Sequence, residues 1–152
     1  MITAWRIVRP EYGDDAFSGE GALLYGGRWN SPGHSMVYTC ESIALATLEV
    51  LAWLNPKRLC DFVVVSCLFS EKYVETLDRS LLPRDWRTFP GPLELRNIGD
   101  AWLERRSAAV LAVPSAIIEQ ETNYLLNPEH DDFGWIDQGS PLPFSLDPRL
   151  VT

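Results

Sequence analysis

Apolar residues along this chain fall into two kinds of run. The first kind is short, rich in β-branched residues and bounded by turn formers. Thr3–Val8, Met36–Thr39, Phe62–Phe69, Ala108–Val113 and Asn123–Leu126 belong to it and are predicted strands. Alternation is only partial in Thr3–Val8, and FVVVSCLF at Phe62–Phe69 scarcely alternates, which predicts a buried strand. The second kind has helical spacing. Ser42–Leu54 is a predicted helix with Ser42 or Thr39 as its N-cap and Asn55-Pro56 as its stop, and Leu95–Arg106 is another, with Ile98, Trp102 and Leu103 on one side. Pro10–Asn30, rich in glycine and acidic residues, reads as a long functional loop. Leu81–Pro92, with Trp86 and three prolines, reads as a second loop, Asn127-Pro128-Glu129-His130 as a turn, and Phe144–Val151 as a returning edge strand. Strands outnumber helices and do not alternate strictly with them, so the expected class is α+β rather than doubly wound α/β.

Length and composition narrow this to one domain, residues 1–152, of ordinary globular character. The longest apolar run, Ile43 to Leu54, is interrupted by Thr47 and Glu49 and is too short to span a membrane. MITAWRIVRP lacks the pattern of a signal peptide. Cys40, Cys60 and Cys67 are odd in number and sit among apolar residues, so they read as reduced core thiols and the expected compartment is the cytoplasm. A net charge of −8 argues against direct nucleic-acid binding, which needs a basic face. Five arginines gather between Arg84 and Arg106, but Asp85, Glu94, Asp100 and Glu104 are interspersed, which reads as a mixed, solvated face.

Three residues change this picture. Glu49 sits in mid-helix with Leu45, Ala46, Ala52 and Trp53 as its neighbours three and four positions away. An unpaired buried carboxylate costs several kcal/mol, on the order of a full desolvation penalty, so Glu49 either pairs with a cation or lines a site. A carboxylate in low dielectric is suited to stabilising developing positive charge. Arg28 follows Gly26-Gly27, which allow close backbone approach; it either grips pyrophosphate or carboxylate bidentately, or caps a turn or pairs with Glu49. Tyr38 offers a ring face and a hydroxyl, or is a core tyrosine. Ser115, after Pro114 at a strand end, either binds ligand or caps a turn. No G-x-S-x-G elbow, zinc-ligand spacing, Walker loop or G-x-G-x-x-G is present, and no metal is expected.

Trp5-Arg6, Gly21-Ala22, Gly26-Gly27-Arg28-Trp29-Asn30, Val37-Tyr38-Thr39, Ala44 to Glu49, Pro114-Ser115, Asn123 and Asn127 to His130 occur in order over nearly the whole chain. In this ordered set the chain resembles the RES domain, the toxin half of bacterial toxin–antitoxin pairs. The resemblance implies an ADP-ribosyltransferase-like fold, a small mixed, split β-sheet with flanking helices, whose cleft takes NAD+ as substrate. It implies a catalytic set of Arg28, Tyr38 and Glu49, with Arg6, Asn30, Ser115 and Asn123 as further ligand contacts. Members degrade NAD+ with water or phosphate as acceptor, and some modify a protein instead. The implied partner is a helix-turn-helix antitoxin that covers the active site and itself binds DNA, in a hetero-oligomeric complex. Trp86, Phe133 and Trp135 are candidate interface aromatics. Three activities stay open: a growth-arresting NAD+ glycohydrolase or phosphorylase, a mono-ADP-ribosyltransferase acting on one protein, and a non-enzymatic binding module.

Overall fold

The computed structural model describes residues 1–55 and 61–151, so Pro56 and Cys60 lie outside the described residues. Among the described residues, eight strands and three helices form a mixed α+β fold. The strands are β1 (Ile2–Val8), β2 (Val37–Cys40), β3 (Phe62–Phe69), β4 (Val74–Thr76), β5 (Val110–Pro114), β6 (Thr122–Leu126), β7 (Asp137–Gln138) and β8 (Leu142–Phe144). The helices are α1 (Glu20–Tyr25), α2 (Ile43–Trp53) and α3 (Leu93–Arg105). One sheet runs in the order β4-β5-β6-β2-β1-β3-β7, with β8 also on β3. The pair β4–β5 is parallel and every other pair is antiparallel.

The ladder is uneven. β1 and β3 pair at seven positions, from Ile2–Phe69 to Val8–Val63, whereas β1 and β2 pair only at Trp5–Cys40. Past that pair, the Arg6 side chain spans the gap and donates from Nη1 to the Tyr38 carbonyl at 3.1 Å. This seam is the split in the sheet.

Alternation assigns the two faces. On β5 and β6, Leu111, Val113 and Leu125 join the cluster under α3, while Val110 and Leu126 join the opposite cluster with Ala4, Val37, Val65 and Phe69. Helix α2 packs Leu45, Ala46 and Val50 against Ile7, Cys40, Phe62 and Val64 at the other half of the sheet. Burying such side chains is worth about 1.5–3 kcal/mol each. Ser42 caps α2, its hydroxyl accepting from the Leu45 N–H at 3.0 Å; Thr39 instead lies in β2 and donates to the Tyr124 carbonyl.

Several elements depart from the sequence expectation. The Pro10–Asn30 region holds a 3₁₀ turn at Pro10–Tyr12 and helix α1, a helix with no buried residue and therefore no apolar stripe to read. The edge strand expected at Phe144–Val151 is β8, earlier in the chain, and Pro148–Leu150 is a 3₁₀ turn begun by proline. Helix α3 starts two residues earlier than expected and ends at Arg105, with Arg106 at φ 53°, a left-handed position that glycine usually fills.

Candidate active site

A cleft of about 570 Å³ opens at the seam, lined by residues that include Arg6, Arg28, Tyr38, Glu49 and Asn123. Volume in this range suits a small-molecule or cofactor ligand.

The carboxylate comes from α2. Glu49 is half-buried, and its Oε1 accepts from Ser115 Oγ at 3.2 Å and Asn123 Nδ2 at 3.0 Å. Among the described residues it forms no ion pair, so the alternative of a structural Arg28–Glu49 bridge is not what the fold builds. Glu49 lines the cleft, and neutral donors hold it there.

The cation side is built on the turn after α1. Arg28 Nη1 donates to the carbonyls of Trp86 at 3.0 Å and Thr88 at 2.9 Å. Gly91 passes so close that a Cβ there would lie 2.8 Å from Nη1. Arg6 is held in the same way, by the Tyr38 carbonyl, and its Nε is buried without a partner. Burial pulls both guanidinium pKa values below the ordinary arginine value, and at Arg28 the field of Glu49 opposes that shift. Backbone carbonyls orient these cations without neutralising them.

Tyr38 fastens the turn. Its hydroxyl donates to Asn30 Oδ1 at 2.6 Å and accepts from the Trp29 N–H at 3.0 Å, while burial pushes the phenol pKa up. Gly27 lies against this phenol, and a Cβ there would come within 2.7 Å of Tyr38 Cζ. The hydroxyl is therefore spent on the turn, and only the ring is left to face a ligand. Helix α3 grips the turn from outside: Arg96 Nε donates to the Gly27 carbonyl, and Asp100 Oδ1 accepts from the Ser31 N–H, each at 2.9 Å. Between them Gly99 lets the Trp29 carbonyl rest on the helix, where any Cβ would collide with it.

Two expected ligand contacts have other duties. Asn30 is fully buried, and its amide donates to the carbonyls of Ala22, Ser31 and His34, which leaves no group for a ligand. Ser115 is also fully buried and accepts from the N–H groups of Ile117 and Ile118 while donating to Glu49. It orients the carboxylate. Asn123 lines the cleft but likewise spends its amide N–H on Glu49, and its Oδ1 is buried without a partner.

Sequence reasoning missed Tyr12 and Trp53, exposed aromatics that also line the cleft. Trp53 stands one helical turn beyond Glu49, a spacing that could have found it. Arg96 and Asp100 were read as part of a solvated face, yet both hold the arginine turn. Of the three interface aromatics, Trp135 is exposed, whereas Trp86 and Phe133 pack against core clusters.

Comparison with known proteins matches this architecture. A family model described as RES domain covers residues 3–147. A protein of Photorhabdus laumondii named Toxin Res is 40% identical over 97% of this chain and 96% of its own length. A Toxin Res of Yersinia enterocolitica is 37% identical over 96% of this chain and 97% of its own. A Sphingobium protein named Prs ADP-ribosylating toxin is 34% identical over 97% and 95%. Among solved structures, the Mycobacterium tuberculosis MbcT-MbcA toxin–antitoxin complex contains a chain with TM-score 0.79 and 19% identity, covering 95% of this chain and 84% of that one. At that identity the likeness speaks to fold alone.

Proposed function

The chain belongs to the RES domain family, and from that premise we propose that it is a toxin enzyme that cleaves the nicotinamide–ribose bond of NAD+. One observation carries the reading: Arg6, Arg28 and Glu49 line a single cleft, and each is tethered by neutral partners that leave its charge available. Two guanidiniums fit a diphosphate. The carboxylate fits the oxocarbenium-like cation that forms as the glycosidic bond breaks.

The reaction needs no general acid, because the positively charged nicotinamide leaves as a neutral base. Glu49 stabilises the ribosyl cation or holds its hydroxyls. Arg28, with Arg6 across the seam, holds the diphosphate, and the ring of Tyr38 packs at the nicotinamide ribose. Water as acceptor yields ADP-ribose, nicotinamide and a proton; phosphate yields a phosphorylated ADP-ribose and nicotinamide. Loss of NAD+ then arrests growth in the cytoplasm. An antitoxin that covers the cleft and carries a helix-turn-helix for DNA completes the proposed system. The solved neighbour's pairing with an antitoxin supports such a partner.

A second reading, mono-ADP-ribosylation of a protein, draws support from the Sphingobium relative's name. Proton NMR of NAD+ with the partner-free protein, with and without phosphate, tests both. Nicotinamide release in the wild type and none in Glu49→Gln is the expected result. Release only with phosphate identifies a phosphorylase, and release in either buffer identifies a hydrolase. No release from folded protein would overturn NAD+ degradation and leave the transferase or a binding module.

A further inference from the structure

Arg87 lies outside the cleft, on the loop between β4 and α3, and is exposed. Two of its donors leave that loop: Nε donates to the Ala116 carbonyl and Nη2 to the Ile117 carbonyl, both at 2.9 Å. Its Nη1 faces Glu119 Oε1 at 3.8 Å, with both side chains nearly half exposed.

What flanks this residue gives it meaning. Its chain neighbours Trp86 and Thr88 supply the two carbonyls that hold Arg28 Nη1. The carbonyls it grips follow Ser115, whose hydroxyl is fixed by the Ile117 and Ile118 N–H groups and donates to Glu49. Three successive loop positions thus tie the anchor of the cation to the anchor of the carboxylate. One other side chain of this loop reaches the same turn, Arg79, whose Nη2 donates to the Glu119 carbonyl at 3.3 Å, further along the chain from Ser115 than the two carbonyls that Arg87 holds.

We infer that Arg87 is a positioning residue whose guanidinium fixes the spacing between Arg28 and Glu49. The functional meaning rests on the NAD+ reading above: a dinucleotide must be held at its diphosphate and its reacting ribose at once. A planar fork on two successive carbonyls resists rotation as well as displacement, which a lysine point charge does not. The Glu119 contact is a water-screened rim pair and is not what carries the role.

The test compares Arg87→Ala, Arg87→Lys and Glu119→Gln in the full chain. Misplacing reacting groups by about 1 Å costs up to about 100-fold, so Arg87→Ala is expected to lower kcat and raise KM for NAD+ by about tenfold each. Arg87→Lys stays impaired, and Glu119→Gln stays within about twofold of wild type. Hydrogen exchange supplies a readout independent of turnover: Arg87→Ala loosens residues 26–31 and 115–118 together and leaves β3 protected. Kinetic constants within about twofold of wild type, or loosening confined to the loop itself, would overturn the inference. So would loosening that extends to β3, which would make Arg87 a general stability contact. A wild type that releases no nicotinamide refutes the NAD+ reading, while the exchange arm still decides whether Arg87 couples the two anchors.

Discussion

Charged side chains in this protein are partnered differently in its surface ion pairs and in its cleft. In the surface pairs they meet each other: Arg149 with Asp147 at 2.9 Å and Arg105 with Glu75 at 3.1 Å. In the cleft they meet neutral dipoles: Arg28 and Arg6 sit on carbonyls, and Glu49 sits on a hydroxyl and an amide. The surface arrangement cancels charge that water would have screened anyway, and it contributes little. The cleft arrangement fixes a charge in space without cancelling it, which is the condition for acting on a charged ligand or a charge that develops during reaction.

The sharpest way to break this contrast is Glu49→Gln. The shape and the acceptor oxygen survive while the charge is lost, and turnover is expected to fall by two orders of magnitude or more, on the order of 3 kcal/mol of transition-state stabilisation. A thermal melt close to wild type, beside nicotinamide release measured by NMR, separates this from unfolding. Next comes Arg28→Ala, with NAD+ affinity expected to drop by about 30-fold in calorimetry. Unchanged affinity would remove Arg28 from the ligand site.

Ser115→Ala leaves the charge of Glu49 in place and removes one of its two tethers, the other being Asn123. It also strands the Ile117 and Ile118 N–H groups, so about 1–3 kcal/mol of stability should go in urea unfolding, with about a tenfold loss of turnover. Neutral groups show the same dryness. Burial pushes the Cys40 and Cys67 thiols from 9.0 up to about 12, with nearby Glu49 adding to the shift at Cys40. The folded state therefore keeps protons that the unfolded state releases. Stability should fall as pH rises from about 9 toward about 12, by up to about 1.4 kcal/mol per pH unit for each thiol, and a Cys67→Ala variant should fall less steeply. Smallest of all is Arg105→Ala, which breaks a surface pair and should change stability by no more than about 0.5 kcal/mol and turnover not at all.

Much of the scaffold could be read from the sequence because its signals are periodic. The β-branched run of β3 and the apolar stripe of α2 announce themselves, as does Ser42 as a cap. Helix α1 and strand β4 could not be read, being six and three residues long with no buried side chain. In the cleft, Glu49 and Arg28 stood out as charges in the wrong company. Their tethers did not, because Ser115 and Asn123 lie 66 and 74 positions from Glu49 and only the sheet order brings them together. Asn30 was expected to touch ligand through the family resemblance, not through any pattern of its own. The fold uses it to knot the turn.

The uneven sheet has a mechanical consequence. A ladder of seven pairs, as between β1 and β3, yields only when many bonds give way together. The β2–β1 seam has one pair and one guanidinium across it, so it is the most compliant line through the sheet. Arg6 rides on one bank and the partners of Glu49 on the other. A ligand that gripped both would work as a strut and stiffen the protein across its softest line.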